Sequence, residues 1–240
     1  MPADSTDRER ALRRDALALT TQAAAIGVAG VVAGTAFGPA GGVIAAFVGP
    51  YATFAFKRLR ELSVAVEDAG FDEDSVSARL SSDETLAQLT AKAAQGVVES
   101  DLAAKRKLLA RAVIRALGDD ADVDAEARLI RTVGDIDTVD VRVLALLADP
   151  PDRPPPADET KRRPEGVTFP DELFARWPGL GVVASSAIST LIAAGLVENA
   201  GIGTFGGLTF WKLTSFGDAV LEGLREGGLD DELRSRGGQG

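Results

Sequence analysis

The sequence predicts a mainly α protein that closes with a small α+β domain, and three observations carry the prediction. Aromatic residues make up only 5% of the 240 residues, so the core must be built from Ala, Leu and Val, which suits packed helices better than a β-sandwich. A 41-residue stretch, 16–56, carries no charge and spaces Gly30, Gly34, Gly38 and Gly42 four apart, the interval of one helix face. Strand-like runs flanking a glycine-rich loop appear only beyond residue 194.

Residues 1–15 mix four acids with Arg8, Arg10, Arg13 and Arg14 and read as the charged start of a helix. The uncharged stretch then divides into arms at about 16–37 and 42–56, joined by the turn Gly38-Pro39-Ala40-Gly41-Gly42. The first arm is long enough for a bilayer core of ~30 Å at ~1.5 Å per residue. The second reaches that length only if its helix continues through Pro50 into 57–62. Each interior glycine costs a helix in water up to ~1 kcal/mol relative to Ala. Retaining a ladder of them implies that another helix packs closely on that face. Two readings follow: a membrane-embedded, self-associating hairpin, or a small-residue seam buried in a soluble bundle or oligomer interface. The flanking bases, Arg8 to Arg14 on one side and Lys57, Arg58 and Arg60 on the other, leave the turn without positive charge, as expected of an insert whose ends face the cytoplasm. The expected location is the inner face of the cytoplasmic membrane, with the cytoplasm as the alternative.

Residues 57–149 form an acidic helical region; 61–150 hold 19 acids against 10 bases, so its surface must be largely carboxylate. Gly70 ends the extension of the second arm. Ser81-Ser82-Asp83-Glu84 fits a capping box for a helix burying Leu86, Leu89, Ala93 and Val97. A helix over about 101–117 buries Leu102, Leu109, Val113 and Leu117 and stops at Gly118. Two more, about 123–133 and 138–148, follow Asp-rich caps; the last is apolar nearly all round and belongs at the centre.

Six prolines within residues 150–166 exclude a helix and mark a linker. Beyond it, 167–226 reads as a short helix (171–177), a second (185–194), a strand at Gly195-Leu-Val-Glu198, a loop over 199–207, a strand over 208–213, and a helix capped by Ser215. The last segment, 227–240, reads as a frayed tail. The order, with LIAAGLVEN followed by FWKLTSFGDAVLEGL, resembles the winged-helix superfamily over about 60 residues. There a Gly-Leu-Val follows the recognition helix and a Leu-Thr-x-x-Gly opens the closing helix. The overall plan, a helical body ending in such a module, looks like bacterial abortive-infection-type proteins, which would imply a defence-type effector.

The absence of His and Cys removes zinc fingers, iron–sulfur clusters, disulfides and His-based triads. No P-loop motif is present. Gly201-Ile-Gly203-Thr-Phe-Gly206 matches a dinucleotide fingerprint but lies between two strands and opens no helix, so it reads as a wing. Asp120, Asp122 and Asp124 copy the alternate ligands of a calcium loop, but Ala125 replaces its glycine and Arg131 its final Glu. No catalytic, cofactor-binding or metal residue is assigned, and a non-enzymatic interaction protein is expected. The candidates are Gly30, Gly34, Gly38 and Gly42 for helix association, Trp177, Phe205, Phe210 and Trp211 for an aromatic contact patch, and Lys107, Arg111 and Arg115 as a stripe able to contact anions. For that stripe, pairing with neighbouring helices is the stronger reading. The net charge of −10 and a recognition-helix candidate, 182–197, without a basic residue argue against nucleic acid and for a protein partner. DNA binding stays open as part of the soluble alternative.

Overall fold

The computed structural model describes residues 41–118, 122–149, 173, 179, 183–199 and 211–237. The first arm of the hairpin with Gly30, Gly34 and Gly38, the proline-rich segment, and Trp177, Phe205 and Phe210 lie outside the described residues. The chain is mainly helical with one small antiparallel sheet near the C-terminus, as expected. It divides into two compact units, 1–63 and 64–240.

In the first unit the described chain is helical throughout. Helix α1, Gly41–Asp68, runs through Pro50 and past Lys57–Leu62, the continuation that the second arm required, and Gly42 is its second residue. Among the described residues no helix is long and apolar enough to cross a membrane.

The second unit takes up the end of α1. Gly70, at φ +93°, donates to the Glu67 carbonyl while Phe71 N reaches that of Val66, so the helix closes in a Schellman turn that favours glycine. Helix α2, Glu73–Ser82, is capped by Asp72, whose carboxylate accepts from Ser75 N at 2.7 Å. Helix α3, Glu84–Glu99, is capped by Asp83 and not by the serines. Ser81 and Ser82 instead return their hydroxyls to the Ser77 and Arg79 carbonyls and finish α2. The carboxylate is the stronger acceptor at the positive end of a helix.

Helices α3, α4 (Ala103–Ala116) and α5 (Val123–Asp135) pack pairwise as a three-helix bundle. Its core holds Leu86, Leu89, Ala93 and Val97 of α3 and Leu109 and Val113 of α4, with Leu102 and Leu117 buried at the ends of α4. Gly96 sits where α3 meets both neighbours: a Cβ there would lie 3.0 Å from Leu109 Cδ1 and 3.3 Å from Gly134 Cα. Helix α6, Thr138–Ala148, starts in a capping box between Asp137 and Asp140 and packs on the C-terminal elements.

Those elements are α7 (Ala184–Ala193), strands β1 (Val197–Asn199) and β2 (Trp211–Leu213), and α8 (Ser215–Glu226). The strands pair antiparallel in the register Val197–Leu213, Glu198–Lys212 and Asn199–Trp211. The expected cap of the last helix, Ser215, is replaced by Thr214, whose hydroxyl accepts from Gly217 N at 3.0 Å and donates to the Gly195 carbonyl at 2.7 Å. One side chain therefore ties the turn before β1 to the start of α8, the physical content of the Leu-Thr-x-x-Gly pattern.

Packing runs across the proline-rich segment. Helix α6, which precedes it, lies against α7, β2 and α8, and α4 lies against α8. Asp149 pairs with Arg225 at 2.5 Å. The described residues of 183–226 thus share their core with helices that precede the segment. The last segment is not a bare tail: α9, Leu229–Gly237, buries Leu229 fully and packs on α4 and α8.

Candidate functional site

Three places in the described chain bear on function: the basic run of α4, the outer face of α7 and the outer face of α1.

The α4 stripe is committed to protein partners. Lys107 Nζ donates to the Gly227 carbonyl at 3.1 Å. Arg111 reaches both the Glu226 carboxylate and the Gly223 carbonyl. Arg115 holds Glu126 through two parallel bonds, Nε to Oε1 at 2.6 Å and Nη2 to Oε2 at 2.9 Å. That bond holds the guanidinium pKa above its ordinary value. The three candidates share one face, and the face points at α5 and the end of α8.

Two positions before the stripe and on the opposite side of the helix, Lys105 is 5% exposed. Its Nζ donates to the Gly134 carbonyl at 3.2 Å and the Ile136 carbonyl at 2.5 Å, closing the C-terminus of α5. Burial pulls its pKa down, while Asp137, Glu99, Asp135 and Asp140 act in the opposite sense. Asp140 is itself buried, and that burial raises its pKa even though its carboxylate accepts from Asp137 N at 2.9 Å. The sequence showed a basic run at 105–107, and nothing in its spacing separated the buried lysine from its exposed neighbours.

A second contact was equally hidden. Helix α4 begins at Leu102 with no side-chain cap of its own. Glu232 of α9 supplies one from 129 residues away, its two oxygens accepting from Ala103 N at 3.2 Å and Ala104 N at 3.3 Å. The available signal was the missing Ser, Thr, Asp or Asn at that helix start.

The outer face of α7 exposes Val183, Ser185, Ser186, Ser189, Ile192 and Ala193. None carries charge, and Ser189 turns its hydroxyl back to the Ser185 carbonyl. On the neighbouring strand, Lys212 pairs with Glu198 across the sheet at 3.0 Å. Trp211 is half-buried in β2 and is the one member of the proposed aromatic patch among the described residues.

On α1, Phe54 is 60% and Phe56 50% exposed. Lys57 and Arg60 are exposed on the side of Phe56, Phe54 lies about 160° round the helix from Phe56, and Ala55 and Leu62 are buried. At ~100° per residue, Phe56, Lys57 and Arg60 fall within about a third of the helix circumference.

Among the described residues no group of three or more carboxylates is placed to hold a metal ion. Comparisons with family models, curated proteins and solved structures find no match for this chain.

Proposed function

We propose that the chain is a non-catalytic, membrane-surface interaction protein, with α1 meeting an anionic leaflet and a winged-helix-like module, α6 to α8, presenting α7 to a protein partner. The observation that carries the reading is the exposed Phe56 sharing one face of α1 with the exposed Lys57 and Arg60. Aromatic rings favour the headgroup boundary, and basic groups beside them gain about 1 kcal/mol each from an anionic leaflet. An interfacial position needs no helix that spans. The module reading rests on the order of α6, α7, β1, β2 and α8 and on the Thr214 tie between them. A face of serines and aliphatics carries no cation to neutralise phosphate charge, so protein is the better partner for α7 than duplex DNA.

Co-sedimentation of the full chain with vesicles tests this. It should pellet with phosphatidylglycerol-containing vesicles, release at high salt and pellet poorly with pure phosphatidylcholine. The double variant Phe54→Ser, Phe56→Ser should stay in the supernatant. A wild-type chain that stays in solution with anionic vesicles refutes the proposal.

A further inference from the structure

A cleft of ≈ 310 Å3 opens between α4, α5 and α8, at the lower end of the ~300–1,000 Å3 range of ligand sites. Its floor is apolar: Leu108 and Val220 are buried, and Leu129 and Phe216 are half-buried, with the Arg128 guanidinium over the Phe216 ring at 4.4 Å. Its rim is charged. Arg111 and Arg115 line one side and Glu126, Glu222 and Glu226 the other.

The rim decides the sign of what fits. Arg115 is held bidentately by Glu126, and Arg111 by Glu226, so both cations are already compensated. An anion entering the cleft would have to break one of those pairs and would face the carboxylate released. Glu222 is exposed and makes no pair with any described residue, so it is the one uncompensated charge on the rim. A cation entering beside it breaks nothing.

We infer that this cleft is an interaction site for a lysine side chain presented by a partner protein. The four-carbon stem lies on Leu129, Phe216 and Ala219, and the ammonium meets Glu222. A lysine with its flanking backbone fits within the volume; a whole helix does not.

The test titrates the full chain with Nα-acetyl-lysine methylamide, its Nε-acetylated form and the corresponding blocked glutamate, following the amide signals of Ala219 and Gly223 by NMR. Blocked lysine should move both signals saturably in the millimolar range. Nε-acetylation should weaken binding roughly fivefold, the size of a partly exposed ion pair. Glu222→Gln should weaken blocked lysine by the same factor and leave the acetylated form unchanged; the exposed position keeps the fold intact. Filling the cleft with Ala219→Trp should abolish the response. Equal binding of lysine and its acetylated form, binding of the glutamate probe, no saturable shift, or no effect of Glu222→Gln would each overturn the inference.

Discussion

Gly217 stands in the first turn of α8, where a substitution to Ala sets two effects against each other. Helix propensity alone favours Ala over an interior Gly by about 1 kcal/mol. The structure opposes it. A Cβ on Gly217 would lie 2.0 Å from the Leu196 carbonyl oxygen, 2.9 Å from its carbon and 3.2 Å from its Cα. Carbon–oxygen contacts settle near ~3.3 Å, so a gap of about 1 Å must open. Leu196 cannot yield freely. It is fully buried, and its carbonyl accepts from Thr214 N at 3.0 Å and from the Thr214 hydroxyl at 3.3 Å. Overpacking costs ~1–3 kcal/mol and each weakened hydrogen bond about 1. After the propensity gain, Gly217→Ala should lose ~2–4 kcal/mol. At ~2–4 °C per kcal/mol for a unit of this size, the melting temperature should fall by ~4–16 °C. Gly134→Ala in α5 is the control, because its Cβ would meet only Lys92 Cε, at 3.5 Å. There the propensity term stands alone and stability should rise by about 0.5–1 kcal/mol. Thermal and urea unfolding of both variants gives the comparison. Equal stability for Gly217→Ala and wild type, or changes of the same sign in the two variants, would refute the close-approach argument.

Two further expectations concern the α5–α6 corner. Lys105→Met removes both bonds to the Gly134 and Ile136 carbonyls and the cation near four acids while keeping most of the volume, so urea unfolding should show a loss of ~2–3 kcal/mol; a loss below ~0.5 would mean that the lysine is incidental. Asp140 has a raised pKa, so the folded chain binds its proton more tightly than the unfolded chain does, and its contribution to stability falls as pH rises from the ordinary carboxylate value through the raised one. Asp140→Asn keeps an acceptor for Asp137 N and should gain relative to wild type between pH 4 and pH 7; a difference between the two chains that does not change with pH would remove the assignment.

What the sequence revealed was local, and what it concealed was long-range. Helix α6 was legible to the residue because Asp137 supplies its cap and the apolar run stops at Asp149. The period of Leu86, Leu89, Ala93 and Val97 identified a buried face without naming its partners. Helix α2 was missed because its ten residues bury none of their own, so no apolar period announces it. Helix α9 was missed for a related reason. Leu229 is its one fully buried anchor, and its ordering depends on Glu232 meeting a bare helix start 129 residues earlier. The serine caps proposed at 81–82 and at 215 each stood beside another acceptor that takes the cap, Asp83 and Thr214, a competition that composition alone does not rank.

The basic run of α4 gains its meaning from the ends of other helices. Helix C-termini carry partial negative charge on carbonyls that lack intrahelical donors. Lys105 covers that end of α5 at Gly134 and Ile136; Lys107 and Arg111 cover that end of α8 at Gly227 and Gly223. Glu232 does the reverse at the N-terminus of α4. A phosphate approaching this face would compete with carbonyls already in place and would free no counterion-like charge in exchange. A row of bases at i, i+4 and i+8 in an acidic chain thus serves here to join helix ends, and the same pairing explains why the unit coheres across the proline-rich segment.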